Sequence, residues 1–156
     1  MINWDTLKRK PKHKNFMLNY DYHLKVFYKD VDQMGIVYYS RYFEYFEAAR
    51  TEMLAKIGLD YDKVETNGAM LPVIESHAEY QKGAKFGQNL LVRTSIQEMP
   101  KVKLKFEYQI YLADSEEKLM KGHTIHAFTN LTGKPIRIPK YISKILKDKM
   151  ESTHEA

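Results

Sequence analysis

The sequence predicts an α+β fold in which one long helix lies inside a curled antiparallel sheet. Three observations support this. Tyr42, Phe46, Ala49, Met53 and Ile57 form an apolar stripe at helical spacing. Residues 101–112, KVKLKFEYQIYL, alternate strictly between apolar and polar side chains, as in a strand with one face on a core and one in water. The rest of the second half of the chain also reads as strands. A single long helix must therefore cover a five-stranded sheet, and the sheet must curl around it.

The elements follow in chain order. Residues 1–19 form a basic arm expected to be flexible, because Lys8, Arg9, Lys10, Lys12 and Lys14 face only Asp5 among residues 1–14. A single domain is expected over residues 20–150, with residues 151–156 as a tail. Residues 23–29, HLKVFYK, read as a first strand. The helix then begins near residues 38–41. Phe43 and Leu54 widen its apolar stripe, while Arg41, Glu44, Glu47, Thr51 and Lys56 fall mostly on the opposite side, and Gly58 supplies the stop. Residues 70–130 read as β structure, with Leu90, Val92, Thr94 and Ile96 alternating before residues 101–112. Residues 119–130 make a further strand, and residues 139–150 suggest a short helix carrying Ile142, Ile145 and Leu146.

Composition excludes several function classes. The chain has 156 residues, 44% of them hydrophobic and 29% charged, which suits one soluble domain. It has no cysteine, so disulfides, thiolate metal sites and cysteine nucleophiles are excluded; this fits a cytoplasmic protein. No apolar run approaches the ~20 residues that span a bilayer. The first residues lack the apolar core of a secretory signal. Most of the net charge of +5 sits in the arm, which argues against a nucleic-acid-binding fold. His123 and His126 are three apart in a strand and point to opposite faces, so with His77 they form no metal set. No nucleotide-binding or serine-hydrolase motif occurs, and no cofactor is expected.

Residues 28–54, YKDVDQMGIVYYSRYFEYFEAARTEML, concentrate the chemistry. Asp30 and Asp32 stand two apart where a strand ends, Gly35 makes a turn, and the aromatic helix follows. A carboxylate beside the free N–H groups of a helix start suits acyl transfer: the acid attacks or deprotonates, and the helix end stabilises the carbonyl oxygen. By residue type alone, Asp32 reads first as an ordinary turn residue that caps the loop or helix. Asp30 reads as a solvated neighbour, and Gly35 as a positive-φ turn or a place where substrate approaches the backbone. Glu75 reads as a solvated strand carboxylate.

This segment resembles the signature of the 4-hydroxybenzoyl-CoA thioesterase-like branch of hotdog-fold acyl-CoA thioesterases. It is also similar to the acyl-CoA thioesterases encoded near bacterial Tol–Pal systems. The shared features are an aspartate, a short loop with glycine, a Val-Tyr pair, and a helix ending in an Ala-Arg-Thr-Glu-like run. LPVIESHAEYQKGAKFGQNLLVRTSI resembles the family's second and third strands, and the likeness spans residues 22–140. It implies a hotdog fold, with Asp32 as the catalytic carboxylate and the Tyr39 backbone N–H as the group that holds the thioester carbonyl. Tyr39 stands where the Tol–Pal-associated members commonly have histidine, which leaves Asp32 without a side-chain base in the motif.

The resemblance further implies a substrate site around Gly35, Val37, Tyr38, Tyr42 and Phe46. The acyl channel would run beside Phe43, Phe46 and Met53, with Lys82, Lys85 and Arg93 as candidates for the phosphates of CoA. It implies a homodimer pairing its sheets edge to edge and assembled into a homotetramer. The expected reaction is hydrolysis of an acyl-CoA thioester. An acyl-carrier-protein thioester is the alternative substrate, and a non-catalytic acyl-CoA-binding module is the alternative role.

Overall fold

The computed structural model describes residues 18–152. Five strands, β1 (Leu18–Lys25), β2 (Val73–Tyr80), β3 (Asn89–Ile96), β4 (Lys103–Leu112) and β5 (Lys118–Ala127), form one sheet in the order β1-β3-β4-β5-β2. Every neighbouring pair is antiparallel. The long helix α1 (Arg41–Lys56) packs on β3 and β1. This is the helix-in-sheet arrangement that the alternation and the helical stripe predict.

Several boundaries differ from the sequence reading, among them β4 and β5, which run over Lys103–Leu112 and Lys118–Ala127 and not over 101–112 and 119–130. The first strand starts at Leu18 and ends at Lys25, so Leu18 and Asn19 belong to the sheet and not to the arm. Its alternation, with Tyr20, Tyr22 and Leu24 turned toward the core, is present in the sequence but diluted by charged neighbours. Residues 28–30 then form a short 3-10 turn, not strand. A second helix, α2 (Tyr61–Thr66), was not anticipated; at six residues it carries too little periodicity to be read. The last helix, α3 (Lys140–Ser152), takes in Glu151 and Ser152. The remainder of the basic arm and of the tail lies outside the described residues.

The core forms where the helix stripe meets the inward face of the sheet. Tyr42, Phe46, Ala49 and Met53 of α1 are buried against Leu90, Val92 and Ile96 of β3 and Leu104, Phe106, Tyr108 and Ile110 of β4. The Phe46 ring stacks on Tyr108 with centroids 4.1 Å apart. Gly122 of β5 makes room for it: a Cβ there would lie 2.9 Å from Phe46 and 2.4 Å from the His77 carbonyl oxygen. The opposite face of the sheet is polar. It carries the Asp21–Arg93 ion pair, the Lys121–Glu79 pair, and the stacked rings of His77 and His123. At the sheet's edge, β2 is exposed almost throughout.

Candidate active site

The chain between β1 and α1 is shaped by a succession of backbone bonds. The Asp30 N–H donates to the Phe27 carbonyl, and one carboxylate oxygen of Asp30 accepts the Phe27 N–H at 3.0 Å, which closes the 3-10 turn. Residues 32–36 then reverse direction. The Asp32 N–H donates to the Ile36 carbonyl, and the Gly35 N–H to the Asp32 carbonyl, both at 3.0 Å. Gly35 has φ +76°, a backbone that other residues rarely adopt, so the glycine is needed for this turn.

The returning limb is strapped to the segment after β2. The Val37 N–H donates to the Ala84 carbonyl at 2.8 Å, and the Ala84 N–H donates to the Tyr42 hydroxyl at 3.2 Å. Gly83 permits the approach, since a Cβ there would sit 2.8 Å from Ile36.

Asp32 and Tyr39 emerge from this frame with groups to spare. Oδ1 of Asp32 accepts the Met34 N–H at 2.8 Å, and the other carboxylate oxygen has no partner among the described residues. The Tyr38 N–H donates to the Asp30 carbonyl, and the Tyr38 carbonyl accepts the Arg41 N–H, each at 2.9 Å. That carbonyl shares a peptide plane with the Tyr39 N–H, so the orientation of the N–H is fixed. The Tyr80 hydroxyl donates to the Tyr39 carbonyl at 3.0 Å and holds the next peptide. Among the described residues nothing accepts the Tyr39 N–H. Ser40 precedes the helix but its side chain does not cap it, so the helix start is left open to a ligand. An open carboxylate oxygen and an oriented, unpaired N–H on one short loop are the elements of an acyl-transfer site.

The other predicted site residues are distributed unevenly. Tyr38 and Tyr39 are 44% and 58% exposed, with rings 4.5 Å apart, beside the loop. Val37 and Tyr42 are buried and position the loop. Phe46 is wholly buried under its stack with Tyr108, inside the core. Lys82 and Lys85 flank the Gly83–Ala84 strap. Lys82 is paired with Glu117 at 2.8 Å, whereas Lys85 has no ion pair among the described residues. Arg93 is not brought to the loop. It lies on the sheet face away from α1, in a two-pronged bond with Asp21 and over the Tyr111 ring. Its outward direction follows from the alternation of β3, a signal present in the sequence. Glu75 is exposed on β2, 3.7 Å from His123.

Asp30 reverses the expectation of a solvated neighbour: it is only 3% exposed. Beside it the buried Tyr45 hydroxyl finds no formed hydrogen bond. Burial, with the charge and proximity of Asp30 added, raises this phenol far above its ordinary pKa.

A second polar group, missed in the sequence, lies deeper along α1. The Arg50 side chain is buried beside the Tyr108 and Tyr61 phenols. Burial pulls its pKa down, but those two phenols outweigh that and hold it above its ordinary value. The Tyr108 hydroxyl bonds Thr124 at 2.7 Å, Thr124 bonds His126 Nε2 at 2.9 Å, and His126 Nδ1 bonds the Leu71 carbonyl at 3.1 Å. Burial lowers His126 to about 4, so its ring is neutral near pH 7. Arg50 falls four residues after Phe46 and three before Met53, a spacing that places it on the buried face.

Fold and loop together define a hotdog-type thioesterase. A model of the thioesterase-like superfamily matches residues 26–146, and the chain belongs to that family. It is 31% identical to a putative esterase of Aquifex aeolicus over 81% of this chain and 97% of that one. It is also 31% identical to the acyl-CoA thioesterase YbgC of Helicobacter pylori, over 78% of this chain and 96% of the other. Among solved structures, a hypothetical protein from Thermus thermophilus superimposes with a TM-score of 0.77 at 34% identity, covering 84% of this chain and 97% of that one.

Proposed function

We propose that this thioester hydrolase cleaves acyl-CoA to a free acid and CoA at the loop joining Asp32 to the start of α1. The observation that carries the reading is the pairing of one unbonded Asp32 oxygen with the unpaired, oriented Tyr39 N–H. The similarity to an acyl-CoA thioesterase supports the choice of CoA ester.

In the reaction the thioester oxygen accepts the Tyr39 N–H and takes up negative charge as the carbonyl carbon becomes tetrahedral. A donor of this kind lowers the barrier by about 3 kcal/mol. The free Asp32 oxygen serves in one of two ways. As a general base it removes a proton from water, and the water oxygen bonds to the carbonyl carbon. As a nucleophile it bonds to that carbon itself, giving an acyl-aspartyl anhydride that water then hydrolyses. Either way the carbon–sulfur bond breaks and CoA leaves as the thiolate. No side-chain base is needed beyond Asp32, in keeping with tyrosine at position 39.

The exposure of the loop supports a site completed by a second copy. Tyr28, Met34, Tyr38, Tyr39 and Phe86 are exposed large side chains around it, and β2, with Val73, Ile74 and Tyr80 exposed, offers a free sheet edge close by. Pairing of two β2 edges would extend the sheet and cover the loop, forming a homodimer; two dimers would form the homotetramer. Lys85 is the cation best placed for a CoA phosphate. The compartment proposed is the cytoplasm.

The test is thiol release from benzoyl-, butyryl- and palmitoyl-CoA, and from an acyl-carrier-protein thioester, by the full chain. Turnover of a CoA ester is expected. Turnover of the carrier ester alone would move the substrate class, and binding without turnover of any ester would overturn the enzyme reading. Sedimentation of the same sample reads the oligomeric state.

A further inference from the structure

Asp30 has no place in the reaction just described, yet it is more buried and more fully engaged than Asp32. Its carboxylate accepts the Phe27 N–H, its N–H donates to the Phe27 carbonyl, and its own carbonyl accepts the Tyr38 N–H. The last bond matters most. It joins the limb that carries Asp32 to the limb that carries Tyr39, across the turn at Gly35. The Val31–Val37 bridge lies one residue inside it. The side chain of Asp30 therefore holds the 3-10 turn from which both reacting groups are suspended. The Tyr45 hydroxyl of α1 is buried near the same carboxylate without a formed hydrogen bond. A carboxylate buried to this degree costs several kcal/mol unless it is bonded, so the turn stands only with the bonds Asp30 makes.

We infer that Asp30 is a positioning residue: through the Phe27–Asp30 turn and the Asp30–Tyr38 bond it sets the distance between the Asp32 oxygen and the Tyr39 N–H. The inference rests on the thioesterase reading for its kinetic consequence, but the loop geometry can be measured without turnover. The contribution is one of hydrogen bonding. An asparagine could accept the Phe27 N–H through its amide oxygen and donate to the Tyr45 hydroxyl through its amide nitrogen.

The experiment uses the full chain carrying Asp30→Ala, Asp30→Asn or Tyr45→Phe. Melting temperature, amide hydrogen exchange, and kcat and KM on a CoA ester that the wild type turns over are measured on each. Asp30→Ala is expected to lower kcat by about thirtyfold or more with KM within threefold, since small misplacements of reacting groups act on the chemical step. It should also speed exchange at least tenfold in peptides covering residues 27–39 while leaving β3 and β4 unchanged. Asp30→Asn should restore both readouts to within about fivefold of wild type, and Tyr45→Phe, which removes no formed bond, should stay within about threefold of wild type.

Asp30→Ala with kcat and exchange within threefold of wild type overturns the inference. So does a loss spread evenly over the whole sheet, which is what a merely structural role predicts, or an Asp30→Asn variant as damaged as alanine. Should Asp30→Ala not fold, Phe27→Pro, which removes the N–H that the Asp30 carboxylate accepts, decides: local loosening of residues 27–39 supports the inference, and wild-type exchange there overturns it. A wild type without turnover on any ester would defeat the thioesterase reading, while the exchange pattern would still decide the role of Asp30.

Discussion

The two halves of α1 treat polar groups in opposite ways. On the loop before its first turn, Asp32 and Tyr39 sit near the surface with hydrogen-bonding capacity unused, and neighbouring backbone bonds and the Tyr80 hydroxyl fix the frame around them. Around Arg50, about one turn beyond Phe46, the polar atoms are sealed in the core: Tyr108, Thr124 and His126 are hydrogen-bonded in a chain, while Arg50 Nε has no partner among the described residues. The groups of the proposed site are left unbonded and held through their main chain. In the core the Tyr108–Thr124–His126 chain is bonded through its side chains, although the Tyr45 hydroxyl and Arg50 Nε are buried unpaired. The first arrangement can be inactivated without unfolding; the second cannot be disturbed without loss of stability.

The largest expected effect tests the first half. Asp32→Asn should lower kcat by about 10³-fold, roughly 4 kcal/mol, while circular dichroism and melting temperature stay at wild-type values. Turnover by this variant comparable with wild type would remove Asp32 from the mechanism.

The second prediction concerns the sealed half. His126 stands at about 4 in the fold against an ordinary value of 6.5, because burial disfavours its charged form. As pH falls below 6.5 the unfolded chain binds a proton that the folded chain refuses, so stability is lost until the folded ring titrates near 4. The full effect is about 3 kcal/mol, absent above 6.5. Melting curves between pH 7.5 and 4.5 should show this slope in wild type, and His126→Gln should flatten it. Equal slopes in the two proteins would mean that other groups govern the acid loss.

Gly122→Ala is next. Its methyl group would meet both Phe46 and the His77 carbonyl. Overpacking of this kind costs about 2 kcal/mol, read as a lower denaturant midpoint, with kcat of the folded fraction little changed. A substantial fall in kcat without a change of midpoint would show that the core and the loop are more tightly coupled than the comparison allows. Tyr80→Phe should be the mildest. It removes one exposed hydrogen bond to the Tyr39 carbonyl and should reduce kcat about threefold, with stability within about 0.5 kcal/mol.

Much of this contrast was legible in the sequence. Side-chain alternation reports which face of a strand is wet, so the inward residues of β4 and the outward course of β3 could be read from residues 90–112. A stripe at helical spacing likewise placed α1, and the Gly58 stop falls just after it. The short α2 left no comparable signal, and the 3-10 turn at residues 28–30 continues an apolar run that looks like strand until Asp30 closes it from its own side chain.

Within the loop, the family resemblance singled out Asp32 and Tyr39, and local sequence by itself marked only the strand end, the turn at Gly35 and the helix start. It could not tell which of two aspartates would be buried, nor that Ala84 and Tyr80, more than 40 residues beyond Val37 and Tyr39, would hold the loop. Nor could it reveal that Arg50 would meet the phenols of Tyr61 and Tyr108. Those outcomes depend on contacts between segments far apart in the chain, which periodicity cannot encode. The sequence alone determined the helix, most of the strands and the turn that leads into the helix. Tertiary structure decided which polar groups are left open and which are closed, since a hydrogen bond exists only once the fold has brought both its partners within reach.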